Sequence, residues 1–166
     1  MALIVEDGSI VTDANSYVSR ADYIAYALLR GVTITDDTTA DVQLIKAAEF
    51  IDRHEANLKG YLTTKTQPMA FPRYNLYIDD WWWTGEEIPR QVTLCQMAYA
   101  LDINSGIDIY NPPQNPNLFT KREKIDVIEV EYAVGDQTGQ KLSRTSTGEA
   151  LLYSLLENSG LQLVRR

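Results

Sequence analysis

Three segments between Arg20 and Gly106 repeat apolar side chains at helical spacing, each between its own start and stop signals, which points to a core of packed helices. In the first, Ser19 followed by Asp22 reads as a capping box with Asp in place of Glu; Ala21, Ile24, Ala25 and Leu28 recur on one side, and Gly31 ends the pattern. This predicts a helix over about Arg20 to Arg30. The second opens at Thr38, with Asp41 three residues on, and places Leu44, Ala47, Ala48, Ile51 and Leu58 on one face; Asp52, Arg53 and Glu55 fall on the solvated side, and Lys59-Gly60 stops it. In the third, Pro89 suits a first helical turn, where a missing N–H costs nothing, and Val92, Cys95, Met97, Ala98 and Leu101 line an apolar side up to Gly106.

The rest of the chain is connection and tail. Tyr61 to Ile88, with Pro68, Pro72, Gly85 and the run Trp81-Trp82-Trp83, is long for a link inside a compact domain, and such loops usually make contacts. Prolines punctuate Asn111 to Asn117 and set the tail apart from the helices. Ile128, Val130, Tyr132 and Val134 then alternate with Glu129, Glu131 and Ala133 as a strand does. Beyond the polar segment that Gly135-Asp136 opens, Ser146 and Glu149 form a capping box ahead of Ala150, Leu151, Leu152, Leu155 and Leu156, a short helix stopped at Gly160. Leu161, Leu163 and Val164 with Gln162 between them have the pattern of an extended arm, ending in Arg165 and Arg166. The expected fold is mainly α: a small helical bundle with long loops, a short strand or hairpin element and an extended C-terminal arm. One domain is expected, with residues 1–110 as a helical core carrying loop 61–88, and 111–166 as strand, short helix and arm.

A chain of 166 residues can bury a core without staples, and its lone Cys95, among Leu94, Met97 and Ala98, reads as a small buried hydrophobe. No apolar run approaches a membrane span, and the opening Met1 to Gly8 lacks the basic start of a secretory signal, so assembly in the cytoplasm is expected. The formal charge of −8 argues against coating nucleic acid by neutralising phosphates.

Candidate chemistry is sparse. The single histidine, His54, is followed four residues on by Leu58, so the zinc-protease spacing fails, and the bland reading is a solvated helical residue. Asp79-Asp80 and Glu86-Glu87 bracket the tryptophans and read as solvated pairs rather than acid-base or metal groups. With no Gly-rich phosphate loop, the chain is expected to be no enzyme, with no catalytic or metal residues and no cofactor. Trp81, Trp82 and Trp83 fit a subunit or partner interface better than a base-stacking platform, because such platforms lie in basic grooves and these flanks are acidic. Lys121, Arg122 and Lys124 make the densest basic cluster, either a solvated loop before the strand or a contact to DNA or to a partner.

Several segments resemble a known family. They are Leu3 to Gly8, Asp13 to Ser19, Gln67 to Arg73, Ile88 to Val92, Lys121 to Lys124 leading into Ile128 to Tyr132, and the closing Leu-rich helix with Leu163 to Arg166. In collinear order they resemble the DnaT-like single-stranded-DNA-binding family, which looks similar to head-tail adaptor proteins of long-tailed phages. The acidic balance favours the adaptor side of that resemblance. It implies a structural virion protein: a dodecameric ring under the portal protein, joined to a stopper or tail-completion protein, through whose channel genomic duplex DNA passes without tight binding. Leu161, Leu163, Val164, Arg165 and Arg166 are then the expected portal-binding arm. The alternative is a DnaT-like single-stranded-DNA-binding accessory of replication.

Overall fold

The computed structural model describes residues 2–110, 122–125, 128–131 and 147–157. Its elements run α1 (Arg20–Leu28), α2 (Asp37–Asp52), a 3-10 turn (Glu55–Asn57), β1 (Tyr61–Leu62), β2 (Arg73–Tyr74), β3 (Leu76–Ile78), β4 (Trp81–Trp83), α3 (Arg90–Asn104), β5 (Arg122–Ile125), β6 (Ile128–Glu131) and α4 (Thr147–Leu155). The fold is helix-rich, with three two-stranded antiparallel hairpins, β1-β2, β3-β4 and β5-β6.

Helix α3 is the central element. Residues Cys95 to Ala100 are all buried, so this helix is covered on every side, as expected of one packed by α2 on one flank and α4 on another. Its only long polar side chain in that run, Gln96, has no exposed surface and is fully used: Oε1 accepts from the Tyr17 amide at 2.9 Å, while Nε2 donates to Ser16 Oγ at 2.8 Å and to the Leu44 carbonyl at 2.9 Å. One side chain thus ties the N-terminal segment, α2 and α3 together, and its burial is tolerable because every bond is made. Helix α4 closes the core from the far side. Gly148 lies under the Tyr99 ring, where a Cβ would come within 2.9 Å of ring carbons. The Lys59 amide donates to the Leu155 carbonyl at 2.9 Å and the Glu157 amide to the Asn57 carbonyl at 2.8 Å.

The sequence phases α2 and α3 correctly but not α1; α2 ends at Asp52, so Leu58 is buried from beyond the 3-10 turn, and on α4 Leu152 and Leu155 are buried while Ala150 is exposed. The buried residues of α1 are Tyr23, Tyr26 and Ala27, whereas Leu28 and the adjoining Leu29 are 63% and 85% exposed. Tyrosines carry more apolar area than the Ala and Leu of the expected face, and the Tyr23 hydroxyl finds a buried acceptor, Gln43 Oε1 at 2.8 Å. Two further expectations change. Helix α2 is capped by Asp36, whose carboxylate accepts from the Thr38 and Thr39 amides, rather than opening at Thr38. Asp52 is not solvated but accepts from the Tyr17 hydroxyl.

Candidate nucleic-acid interface

The stretch from Tyr61 to Ile88, expected as a loop, is built from two short hairpins. In β1-β2 Tyr61 stands opposite Tyr74 and Leu62 opposite Arg73; in β3-β4 Leu76 stands opposite Trp83, Tyr77 opposite Trp82 and Ile78 opposite Trp81. Residues opposite one another share a face. Arg73, Leu76 and Ile78 are buried, so Tyr74 and Tyr77 point outward on the continuous run from β2 to β3. Asn75, with φ of 53°, joins β2 to β3. Gly60 introduces β1 with φ of 73°; a Cβ there would meet the Tyr74 carbonyl at 2.8 Å.

The result is two pairs of exposed rings, one on each hairpin. Tyr61 and Tyr74 lie with centroids 5.6 Å apart, and Tyr77 and Trp82 at 5.0 Å. Trp81 at the hairpin tip is 73% exposed and Trp82 68%, while Trp83 turns back to pack on the core. The three tryptophans therefore divide into two surface rings and one anchor.

Buried donors hold this platform to the helices. Arg73 spends its guanidinium on backbone carbonyls, of Lys59 and Gly60 at 2.9 Å and of Ala70 and Leu58 at 3.3 and 3.4 Å. Its burial lowers its affinity for the proton only relative to an ordinary arginine, and it fastens β2 to the segment that follows the 3-10 turn. Below it, the Tyr17 hydroxyl donates to Asp52 and accepts from the Phe71 amide at 3.2 Å, and Asp52 Oδ1 also accepts from the Ala70 amide at 3.3 Å.

The surroundings are acidic. Asp79 and Asp80, with φ of 51° and 66°, make the tight turn between β3 and β4; Asp79 accepts from Gln91 Nε2 and Asp80 from the Tyr77 hydroxyl at 3.2 Å. Exposed Glu86 and Glu87 follow β4 and, with Glu6, Asp7 and Asp22, line a cavity of about 500 Å³ beside Trp83. Glu6 is occupied internally, accepting from the amides of Gly8, Ile10 and Val11 at 2.9 Å.

The other expected sites separate. Arg122 and Lys124 lie in β5, not in a loop, with Glu131 and Glu129 as register partners on β6; Lys121 falls outside the described residues. Leu161, Leu163, Val164, Arg165 and Arg166 also lie outside them. His54 is half-buried, with Nδ1 2.9 Å from the Phe50 carbonyl and its ring edge-on to Phe50. Among the described residues no group of His, Cys, Asp or Glu is arranged to hold a metal, and no helix is long and apolar enough to cross a membrane. The sequence does not disclose the exposed tyrosines, because a loop of 28 residues hides strands only two or three residues long.

Over residues 1–166 the chain matches the model of a family described as "Putative DnaT-like ssDNA binding protein". The chain belongs to that family. No curated protein and no solved structure matches it. The family match overturns the adaptor reading, and with it the dodecameric ring, the portal and stopper partners and the channel for duplex DNA. That reading went wrong in treating net charge as the property of a binding surface. Net charge bears on phosphate neutralisation, whereas stacking on aromatic rings depends on which rings a surface presents.

Proposed function

We propose that this protein is a single-stranded-DNA-binding accessory, a binding module and not an enzyme, and that bases stack on the exposed rings of its two hairpins. The observation that carries the reading is the outward register of Tyr61, Tyr74, Tyr77 and Trp82, with Trp81 at the tip. The family membership supports the same ligand. Large rings left in water on a rigid two-hairpin support need a partner with flat apolar faces, and an unpaired base is such a partner. In this reading the helices form a small bundle that serves as the support.

Stacking contributes about 1–3 kcal/mol per base, which makes each ring worth about 5- to 150-fold in affinity. Titrating the protein with a fluorescein-labelled oligo-dT while following anisotropy and tryptophan quenching tests the proposal. Binding with quenching is expected, and Trp82→Ala should weaken it within that range while the circular dichroism spectrum stays unchanged. No binding at any ionic strength would refute the reading.

A further inference from the structure

We propose that the two ring pairs are halves of one site bridged by a single strand, and that Thr63 is the positioning residue that keeps them in register. The inference rests on the single-stranded reading above and adds to it the length of strand the site takes. The pairs are joined twice. Along the chain, Tyr74 of the first pair and Tyr77 of the second are three residues apart on the run from β2 to β3, so their Cα atoms lie within about 11 Å. Across the hairpins, the Thr63 hydroxyl, just beyond β1, lies 3.1 Å from the carbonyl of Gly85, which follows β4, and 3.2 Å from that of Pro72, which precedes β2. The Pro72 carbonyl also accepts from Gln67 Nε2 at 3.0 Å, which leaves the single hydroxyl proton for Gly85. Gly85 fits there because it has no side chain: a Cβ would stand 3.0 Å from Thr63 Oγ1 and 3.4 Å from Tyr74 Cβ. The strand that carries Trp82 is thus fastened beside a ring of the other hairpin.

Bases of a stacked strand rise about 3.4 Å each, so about four nucleotides cover the interval from Tyr74 to Tyr77. Once one base stacks on the first pair, the next few are held close to the second, and that second contact becomes intramolecular. The gain depends on a fixed spacing, because pairs free to shift against each other lower the effective concentration at which the second one is met. Thr63 acts through the spacing of the rings, not through a contact of its own with the strand.

The test uses the whole chain and an oligo-dT of about twelve residues, long enough to cover both pairs. One bound strand per protein is expected. Removing either pair, by Tyr61→Ala with Tyr74→Ala or by Tyr77→Ala with Trp82→Ala, should weaken binding at least about fivefold. Two strands per protein, or a pair whose loss changes affinity by less than about twofold, would overturn the inference. Thr63→Val keeps the shape of the side chain and removes its hydroxyl, and thermal denaturation checks that the variant folds. It should weaken binding at least about threefold in the chain with all its rings, but less than about 1.5-fold where Tyr61→Ala and Tyr74→Ala have already removed one pair, since no spacing is then left to keep. Thr63→Ser, which retains the hydroxyl, should bind as the wild type does. An equal loss from Thr63→Val on both backgrounds would overturn the assignment of Thr63. A wild type that binds no oligo-dT would instead remove the single-stranded reading itself, and the bridged site with it.

Discussion

Asp52 sits where the end of α2, the N-terminal segment and the strand-bearing stretch meet, and burial lifts its carboxyl to about 6 against the hydrogen bonds from Tyr17 and Ala70 that favour ionisation. Glu55 and Glu49 push it the same way as burial. Because the folded value lies above the ordinary 3.8, the folded state holds the proton more tightly than the unfolded chain. The stabilisation this supplies is complete below about pH 3.8 and is lost as pH rises through about 6. Asn can accept the same two hydrogen bonds without ionising. Asp52→Asn should therefore gain stability relative to wild type by about 1–3 kcal/mol between pH 4 and pH 7, measured by urea unfolding at a series of pH values. A difference that stays constant with pH would show that Asp52 does not titrate with folding. Gln96 offers a second test: Gln96→Leu orphans the buried Tyr17 amide, a loss of about 1–3 kcal/mol in the same measurement. Neither role is legible in the sequence. Asp52 lies on the polar side of a helical pattern, and a lone Gln in an apolar run gives no sign of the three groups that fold onto it.

At the scale of elements, the sequence discloses what is long and hides what is short. Helix α3 and the burial of Cys95 follow from fifteen residues of apolar spacing, and the Ser19 cap is where the capping box puts it. The four strands between Tyr61 and Trp83 span two or three residues each, too few for alternation to register, and the Asp79-Asp80 turn lacks the Gly that usually marks such a hairpin. In α1 the spacing of Ala and Leu marks the wrong side, because Tyr23 and Tyr26 carry the buried face. Substitutions on its two sides separate the alternatives: Leu28→Lys with Leu29→Lys should change stability by less than about 0.5 kcal/mol per site. Tyr23→Leu, which removes both ring packing and the bond to Gln43, should cost about 1–3 kcal/mol. Thermal denaturation of the two variants decides the phase, and a larger loss in the Leu28 and Leu29 variant would contradict the observed packing.

For the whole molecule, the charge of −8 is not spread evenly: residues 1–110 hold sixteen acidic and eight basic residues, and 111–166 hold seven of each. The whole net charge thus lies in the region that carries the exposed rings, so contact there rests on stacking and not on neutralising phosphates. Integrity, by contrast, crosses that division. Helix α4 belongs to the second region yet completes the core of the first: Leu152 and Leu155 are buried in it, Gly148 seats the Tyr99 ring, and the Cys95 thiol lies 3.4 Å from the Gly148 carbonyl. Burial raises the Cys95 thiol well above its ordinary range, so the reactive thiolate is suppressed in the closed core. Cys95 is therefore a reporter of whether α4 is in place. A chain truncated after Glu157 keeps α4 and its two backbone ties to Lys59 and Asn57, and its thiol should stay as unreactive to a disulfide reagent as in the full chain. Truncation after Thr145 removes α4, uncovers Tyr99 and Cys95, and should bring labelling close to the rate in denaturant, with loss of the cooperative thermal transition. Continued protection of Cys95 in the shorter chain would mean that the core closes without α4, and that residues 1–110 fold as a unit of their own.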